Sequence, residues 1–425
     1  MTNIKLQTYN QSQHGISTDE ISPSARAIIY KLIEHDFKAY IVGGAVRDLL
    51  LGKHPKDFDI ATNATPEQIK DIFGRECRLI GRRFRLAHVY HNREMYEVAT
   101  FRGMAEGERE VKNGHIIKDN VFGSIDQDAV RRDFTCNALY LDIENGNVLD
   151  FTQGVKDVRA KQLHFIGEAE TRIIEDPIRM IRAIRFEAKL GLTISDEIID
   201  AIHRQHKTLE NVSTARLFDE LIKLFHCGQA ATAYRLMNEL MIFKHIFPYA
   251  IKAIEENDNN EKFIDKALKS TDLRIKSGKS VTPIFLFSCI LWPMAVKKTQ
   301  KHLNRGLPIY EALNRAANEV FELSRRTLMI PKMIQIGIRN IWQLQYRFLK
   351  NKGKKVFFTL DHPRFRASYD FLLLRTHESN EIEELGEWWT KIQTLSKTKQ
   401  KELIFPNNIR SNRRKVNNKQ KKKES

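Results

Sequence analysis

One stretch, residues 41–61, reads IVGGAVRDLLLGKHPKDFDIA and joins an apolar strand end, a glycine pair and an Asp-x-Asp motif. The apolar residues Ala39–Val42 predict a strand, which Gly43 and Gly44 connect to a helix that ends near Gly52. This order places backbone N–H groups at the positive end of a helix, where they suit the oxygens of a triphosphate. A glycine pair alone is a weak indication, because most such pairs are only turns.

Asp57 and Asp59 lie on a second predicted strand, Asp57–Ala61, and they strengthen this interpretation. Residues two apart in a strand project from the same face, so both carboxylates point the same way. Like charges this close repel each other unless a cation lies between them, and Mg²⁺ prefers such oxygen ligands. An isolated Asp-x-Asp is more often a solvated loop with two acids. The glycine turn ahead of it favours a site for metal ions and a triphosphate.

A third carboxylate usually accompanies two-metal chemistry, and the sequence offers two candidates. Glu97 lies on a strand, Met95–Phe101, that is expected to neighbour the first two; it could also be an ordinary solvent-facing strand acid. Asp133 follows two arginines, Arg131 and Arg132, and could equally be a helix N-cap with flanking surface charge. Spacing alone leaves the choice open.

The composition indicates more than one domain and a polyanionic partner. The chain has 425 residues, of which 42% are hydrophobic, and its 70 basic and 53 acidic residues give a net charge of +17. Such a surplus favours nucleic acid or an anionic membrane. No apolar stretch approaches the roughly 20 residues of a membrane span, and no signal peptide is evident, so a cytoplasmic protein with a nucleic-acid partner is expected. The four cysteines show no metal-ligand spacing.

Pattern changes along the chain predict its organisation. The predicted segments are a flexible polar arm (1–22), an α/β domain (23–153), two helical segments (154–230 and 231–405) and a basic disordered tail (406–425). A mobile loop is expected over residues 103–120. The stretch 407–425 holds eight Lys or Arg and no aromatic residue, so it cannot bury enough apolar area to fold. It is interpreted as a phosphate-binding tether rather than a merely solubilising tail.

The segment Asp176–Gly191 predicts an amphipathic helix. Pro177 suits the first helical position, and Asp176 is a candidate N-cap. One apolar stripe is formed by Ile178, Ile181, Ile184 and Ala188, whereas Asp176, Arg179 and Arg182 share another side. Taken alone, this side would be a solvent face on which Asp176 pairs with Arg179.

Five motifs in order resemble the class II nucleotidyltransferases, the family of tRNA CCA-adding enzymes and bacterial poly(A) polymerases. They are GGAVRDLLLGKHPKDFDIATNATPEQI from residue 43, EVATFRG from 97, RRDFTCNALY from 131, EDPIRMIRAIRFEAKLG from 175 and ARLFDE from 215. The resemblance spans residues 23–250. Within the family, residues 79–89, 341–345 and 362–369 and the basic tail are similar to the poly(A) polymerase branch.

This resemblance implies a polymerase-β-like nucleotidyltransferase palm, followed by an all-α neck (154–230) that selects the nucleotide and an all-α body (231–405) that binds RNA. It implies that Asp57 and Asp59 bind the metal, Mg²⁺, and that Asp133 and Glu97 are further active-site acids. The implied nucleotide-binding residues are Gly43, Gly44, Arg47, Arg102, Arg132, Asp176, Arg179 and Arg182, of which Asp176 and Arg179 read the base edge. The expected RNA-binding residues of the tail are Arg410, Arg413, Arg414, Lys415, Lys421, Lys422 and Lys423.

The function implied is template-independent addition of AMP from ATP to RNA 3′ ends, which promotes RNA turnover and suggests RNA-decay proteins as partners. CCA addition to tRNA is the alternative within the family. A catalytically silent RNA-binding protein is a remote third reading, and the intact carboxylates argue against it.

Overall fold

The chain divides into two compact units, Met1–Gln205 and His206–Ser425. The computed structural model describes residues 5–81, 85–103, 111–112, 115–116 and 121–405. The seven tail cations and most of the loop expected over 103–120 lie outside the described residues. The domain boundaries expected at 153/154 and 230/231 stay predictions.

The first unit contains all the strands found in the described residues. They are β1 (Gln7–Tyr9), β2 (Ala39–Val42), β3 (Asp59–Thr62), β4 (Cys77–Ile80), β5 (Leu86–His91), β6 (Glu94–Thr100), β7 (Val111–Lys112), β8 (His115–Ile116), β9 (Leu139–Asp142), β10 (Asn147–Asp150), β11 (Gln162–Leu163) and β12 (Thr193–Ile194). Its helices are α1 (Gln11–His14), α2 (Pro23–Ile33), α3 (Gly44–Leu50), α4 (Pro66–Phe73), α5 (Ile125–Arg131), α6 (Gly154–Ala160), α7 (Ala169–Glu175), α8 (Ile178–Leu190) and α9 (Asp196–Gln205).

Eight strands form one mixed sheet in the order β1-β10-β9-β2-β3-β6-β5-β4. All neighbours are antiparallel except β3 and β6, which are parallel. The central strand β2 is buried because its side chains are apolar on both faces. The sheet contains two hairpins whose turns suit the residues in them: β5 turns into β6 at Asn92 and Arg93, which have positive φ, and β9 turns into β10 around Gly146.

The N-terminal segment differs from its prediction. The expected flexible arm over residues 1–22 is wrong for residues 7–22, because β1 pairs with β10 along the sheet edge and places Gln7 opposite Asp150. A ring nitrogen of His14 also lies 3.0 Å from the carbonyl oxygen of Gly146. Ile16 and Ile21 are buried. The polar composition was misleading, since backbone groups rather than side chains complete the edge of the sheet.

The second unit is helical, as predicted. Its helices are α10 (Thr214–Phe225), α11 (Ala230–Glu239), α12 (Phe243–Ile246), α13 (Pro248–Ile254), α14 (Asp258–Lys276), α15 (Pro283–Ile290), α16 (Trp292–Leu303), α17 (Ile309–Ser324), α18 (Lys332–Phe348), α19 (Lys355–Leu360), α20 (Phe365–Leu374), α21 (Asn380–Thr394) and α22 (Lys397–Ile404). Short 3₁₀ helices span Thr18–Glu20, Gly74–Glu76, Thr135–Asn137 and His206–Asn211.

Aromatic side chains fill part of the helical core. Trp389 is fully buried, and its indole N–H donates a 2.9 Å hydrogen bond to the carbonyl oxygen of Phe348. Trp388 is partly buried against the same apolar cluster. These tryptophans therefore serve packing. None of the described helices has the length and apolar character that crossing a membrane requires.

Replacing Ile21 with alanine is expected to lower the free energy of unfolding by about 2–5 kcal/mol, because the change removes a buried side chain and leaves a cavity. Ile21 is 2% exposed. Leu6→Ala is the control: Leu6 is 48% exposed, so its loss should cost less than about 0.5 kcal/mol. Urea unfolding followed by circular dichroism measures both. Equal midpoints for the two variants would show that the N-terminal segment does not stabilise the fold.

Candidate active site

The glycine turn between β2 and α3 is confirmed. Gly43 has φ 70° and ψ −119°, a conformation that side chains disfavour, and its N–H donates to the carbonyl oxygen of Leu139 at 3.0 Å. A Cβ at this position would lie 3.4 Å from both Arg132 Nη1 and the carbonyl oxygen of Asn137. Gly44 then begins α3. The chain can make this close turn only with glycine at position 43.

Three carboxylates lie near this turn through strand pairing. Asp59 begins β3 and is paired with Val42, the residue before Gly43. Ile60 pairs with Val98 in the parallel register of β3 and β6, so Asp59 and Glu97 are neighbours on adjacent strands. Asp57 precedes β3 by two residues. The structure therefore brings Glu97 beside the Asp-x-Asp motif.

The electrostatics of Asp59 reflect this crowding. Desolvation by the surrounding protein, together with the negative charges of Glu97 and Asp57, raises the pKa of Asp59 to about 6, although Arg132 opposes the rise. A divalent cation would relieve the repulsion. In the described part of the chain, no three His, Cys, Asp or Glu residues form a ready-made metal site. The donor set nevertheless fits Mg²⁺, which commonly takes one or two carboxylates and completes its shell with water and substrate phosphates.

Asp133 is held differently from Glu97. Its Oδ1 accepts hydrogen bonds from the N–H of Phe134 at 2.9 Å and from Asn137 Nδ2 at 3.1 Å. Its Oδ2 accepts from Arg182 Nε at 2.7 Å. Burial alone would raise the pKa of Asp133, but the Arg182 charge and the hydrogen bonds lower it. The carboxylate is thus engaged by an arginine and an amide.

Arg132 is oriented by an acid that the sequence analysis did not identify. Asp128 Oδ2 accepts from Arg132 Nη2 at 2.8 Å and from the Tyr140 hydroxyl at 2.7 Å. Asp128 Oδ1 accepts from the backbone N–H of Arg102 at 3.2 Å. Burial favours a higher pKa for Asp128, yet Arg132 and Tyr140 lower it. The spacing of Asp128 and Arg132, four residues apart across the end of α5, was a usable signal.

Arg47 lies inside the protein. It is 5% exposed, and its Nη1 donates to Asn137 Oδ1 at 2.6 Å while Nε donates to Asp48 Oδ1 at 2.9 Å. The guanidinium also lies 3.5 Å from the position that a Cβ on Gly44 would take. The triphosphate contact expected of Arg47 stays a prediction. Asn137, which sequence reasoning missed, links Arg47 to Asp133.

The predicted helix after Asp176 is confirmed as α8. Asp176 Oδ1 accepts from the N–H of Ile178 at 3.3 Å, and Gly191 ends the helix with φ 73°. Arg179 Nη1 donates to Glu175 Oε2 at 2.9 Å and to the carbonyl oxygen of Arg172 at 2.6 Å. Glu175 is therefore an ion-pair partner of Arg179 that the sequence analysis did not consider.

Replacing Asp59 with asparagine is expected to raise the melting temperature of the metal-free protein at pH 7.5 but not at pH 4. An unfolded aspartate has a pKa near ~3.9, whereas the fold raises the pKa of Asp59 to about 6. The folded state therefore disfavours the charged form, and stability falls as the pH rises between these two values. Asparagine has no ionisable carboxyl group, so it removes this loss of stability at the higher pH.

Thermal unfolding in the presence of a chelator measures the effect. Asp71→Asn, on the exposed side of α4, is the control and should leave the difference between the two pH values unchanged. An equal shift for Asp59→Asn at both pH values would contradict the assignment.

Three family descriptions match successive parts of the chain. "Poly A polymerase head domain" matches residues 39–164, "Probable RNA and SrmB-binding site of polymerase A" matches 191–254, and "Polymerase A arginine-rich C-terminus" matches 305–424. The first match contains the glycine turn and the three carboxylates.

Comparison with individual proteins of known sequence and structure agrees with these family matches. The chain is 43% identical over 406 residues to poly(A) polymerase I of Escherichia coli O6:H1, which covers 93% of this chain and 87% of that protein. It is 34% identical over 229 residues to the CCA-adding enzyme of Staphylococcus haemolyticus, covering 53% and 56%. The crystal structure of the Bacillus stearothermophilus CCA-adding enzyme in complex with CTP superimposes with a TM-score of 0.56 at 25% identity, covering 88% and 84%. The chain therefore belongs to the poly(A) polymerase I family of nucleotidyltransferases.

Proposed function

We propose that this protein adds AMP from ATP to RNA 3′ ends without a template and releases pyrophosphate. The observation that carries the proposal is the group formed by Asp57, Asp59 and Glu97 beside the Gly43 turn, in a chain similar to poly(A) polymerase I over 93% of its length. The CCA-adding relative is less similar in sequence, with 34% identity over 53% of the chain. This difference favours AMP addition over CCA addition to tRNA.

The residues supply orientation and charge for an in-line displacement. The RNA 3′-oxygen attacks the α-phosphorus of ATP, the bond from that phosphorus to the bridging oxygen breaks, and pyrophosphate leaves. Asp57 and Asp59 would hold Mg²⁺, which would supply positive charge to stabilise the charge that develops in the reaction. Glu97 is the third acid of this group. The backbone at Gly43 and Gly44 faces the triphosphate.

Arginines on the same unit position the nucleotide. Arg132, held by Asp128, and Arg102 lie toward the phosphates and ribose. Asp133 is a positioning residue, because it fixes Arg182 through two contacts to one carboxylate oxygen. Asp176 and Arg179 read the base edge, as an acceptor and donors fixed side by side can do. Glu175 holds the guanidinium of Arg179 in place.

RNA binding extends beyond the catalytic unit in this proposal. Phosphates are bound by the helical body and by the tail residues Arg410 to Lys423, since released counterions favour such contacts. The protein acts in the cytoplasm, and its product directs RNA toward turnover, with RNA-decay proteins as partners. The family match over residues 191–254, described as a probable RNA-binding site, supports the RNA partner.

The purified protein, given a generic RNA primer and ATP alone, is expected to add long runs of A. With CTP alone it should add little, because Asp176 and Arg179 present a fixed pattern to the base. Denaturing gels measure the product lengths, and Asp57→Asn, which should lose most addition, controls for contaminating activity. Obligatory use of CTP, with addition ending once CCA is complete, would sink the proposal in favour of the tRNA enzyme.

Glu97→Gln and Asp133→Asn are expected to differ. Glu97→Gln should lower kcat by about a hundredfold, the size of effect expected when one preorganised group is lost from an active site, because the acidic group would hold Mg²⁺ less firmly, while the melting temperature changes little. Asp133→Asn should lower the free energy of unfolding by about 1–3 kcal/mol, because Arg182 loses its charged partner. Single-turnover kinetics and thermal unfolding separate the two effects. An unchanged kcat in Glu97→Gln would show that Glu97 is not the third acid of the site.

A further inference from the structure

A concave surface of the second unit combines aromatic and basic side chains. A cavity of about 390 Å³ is formed where the start of α17, the end of α18 and α19 meet. The residues that line it are Tyr310, Arg347, Lys350, Lys355, Phe358 and Thr359. We call it the aromatic–basic cavity.

The aromatic side chains of this cavity are exposed. Phe358 is 72% and Tyr310 is 38% exposed. The helix α19 does not need Phe358 for packing, because Val356 is fully buried and Phe357 and Leu360 pack against the same core cluster. A phenylalanine left in water forgoes about 1.5–3 kcal/mol of burial. The ring is thus available for stacking.

In the described part of the chain, the cationic groups that line the cavity are not paired with acidic groups. Among the described residues, no hydrogen bond or ion pair engages the cationic groups of Arg347, Lys350 or Lys355; the Lys355 carbonyl oxygen accepts a hydrogen bond from the Thr359 hydroxyl. Residues 347–360 contain five Lys or Arg and no Asp or Glu. On α16, by contrast, Lys298 lies 2.8 Å from Glu319, which neutralises it. The cavity therefore keeps an unbalanced positive charge.

The surroundings are also electropositive. Desolvation and the positive charges of Arg347 and Arg364 lower the pKa of His362, which follows α19 by two residues. Burying an exposed aromatic ring and neutralising several cations at once requires a ligand with flat apolar faces and regularly spaced negative charges. Single-stranded RNA has both, since its bases are unpaired and its backbone is anionic.

We propose that the aromatic–basic cavity binds single-stranded RNA. A base stacks on Phe358, with Tyr310 as the second ring, and the neighbouring phosphates contact Arg347, Lys350 and Lys355. The inference rests on the proposed function for the RNA substrate, and it adds a primer-binding site made of residues outside the catalytic unit. A duplex would bind less well, because its base faces are covered. An acidic protein segment would satisfy the charges without needing the rings.

Phe358→Ala in the full-length protein is expected to weaken binding of a labelled single-stranded oligoadenylate by about tenfold, the effect of losing one stacking platform. Phe358→Trp should restore binding, because tryptophan offers a larger ring. Leu273→Ala is the matched control: Leu273 is 68% exposed on α14, and its removal should leave the Kd unchanged. Fluorescence anisotropy without ATP measures every variant.

The charges are tested by salt dependence. The triple variant Arg347→Gln, Lys350→Gln, Lys355→Gln should flatten the slope of log K against log salt by up to about 2, since each single-strand phosphate contact contributes about 0.7. The control triple Lys262→Gln, Lys266→Gln, Lys276→Gln removes the same charge from exposed positions of α14 and should have a smaller effect. Equal slopes for the two triples would overturn the proposal.

Further outcomes decide between ligands and between proposals. If Phe358→Ala weakens the binding of duplex RNA and of an acidic peptide as much as it weakens binding of the single strand, the cavity is not a single-strand site.

In AMP addition, Phe358→Ala should raise the KM for a long primer while kcat and the KM for ATP stay unchanged. A lower kcat at saturating RNA would contradict a binding role. A protein that binds oligoadenylate through Phe358 but adds no AMP would refute the proposed function alone.

Discussion

The parallel pairing of β3 with β6 is the constraint on which the candidate active site depends. It places Asp59 beside Glu97, although the two residues are distant in sequence, and the antiparallel pairing of β3 with β2 places the same aspartate beside the Gly43 turn. A slip of one residue in either pairing would send the carboxylates to the opposite face of the sheet. Buried apolar residues on β2 and β3, including Ile41 and Ile60, prevent such a slip. Burial of these apolar residues thus stabilises a fold in which three carboxylates lie close together despite their mutual repulsion.

Two other acids hold arginines. Asp128 binds Arg132, and Asp133 binds Arg182, and in both cases the positive charge lowers a pKa that burial would raise. An arginine held by two contacts keeps little side-chain freedom. The same unit therefore contains acids in two settings: Asp59 lies among like charges, whereas Asp128 and Asp133 are each paired with an arginine.

Much of the fold could be predicted from local sequence. The glycine turn, both hairpins and α8 depend on residues close together in the chain, and turn or capping chemistry identifies them. Sequence alone could not place Glu97 beside Asp59, because that depends on strand register, nor could it pair Asp133 with Arg182, which lies 49 positions away. The prediction of a flexible N-terminal arm was wrong for a related reason: β1 pairs with β10, which is remote in sequence. The Glu175–Arg179 pair could not be predicted because Asp176 also lies at a helical pairing distance from Arg179, and spacing does not decide between the two acids.

The edge strand β1 has a consequence for how the protein is made. Gln7 pairs with Asp150, so β1 joins a partner that is synthesised 143 residues later. Until then its backbone groups are hydrated and its neighbours Ile16 and Ile21 lack their final packing. At ~5–20 residues per second, the N-terminal segment waits for about 7–30 seconds, during which a chaperone or another nascent chain can pair with it. Closing the sheet at this edge is therefore a late, long-range step in biogenesis.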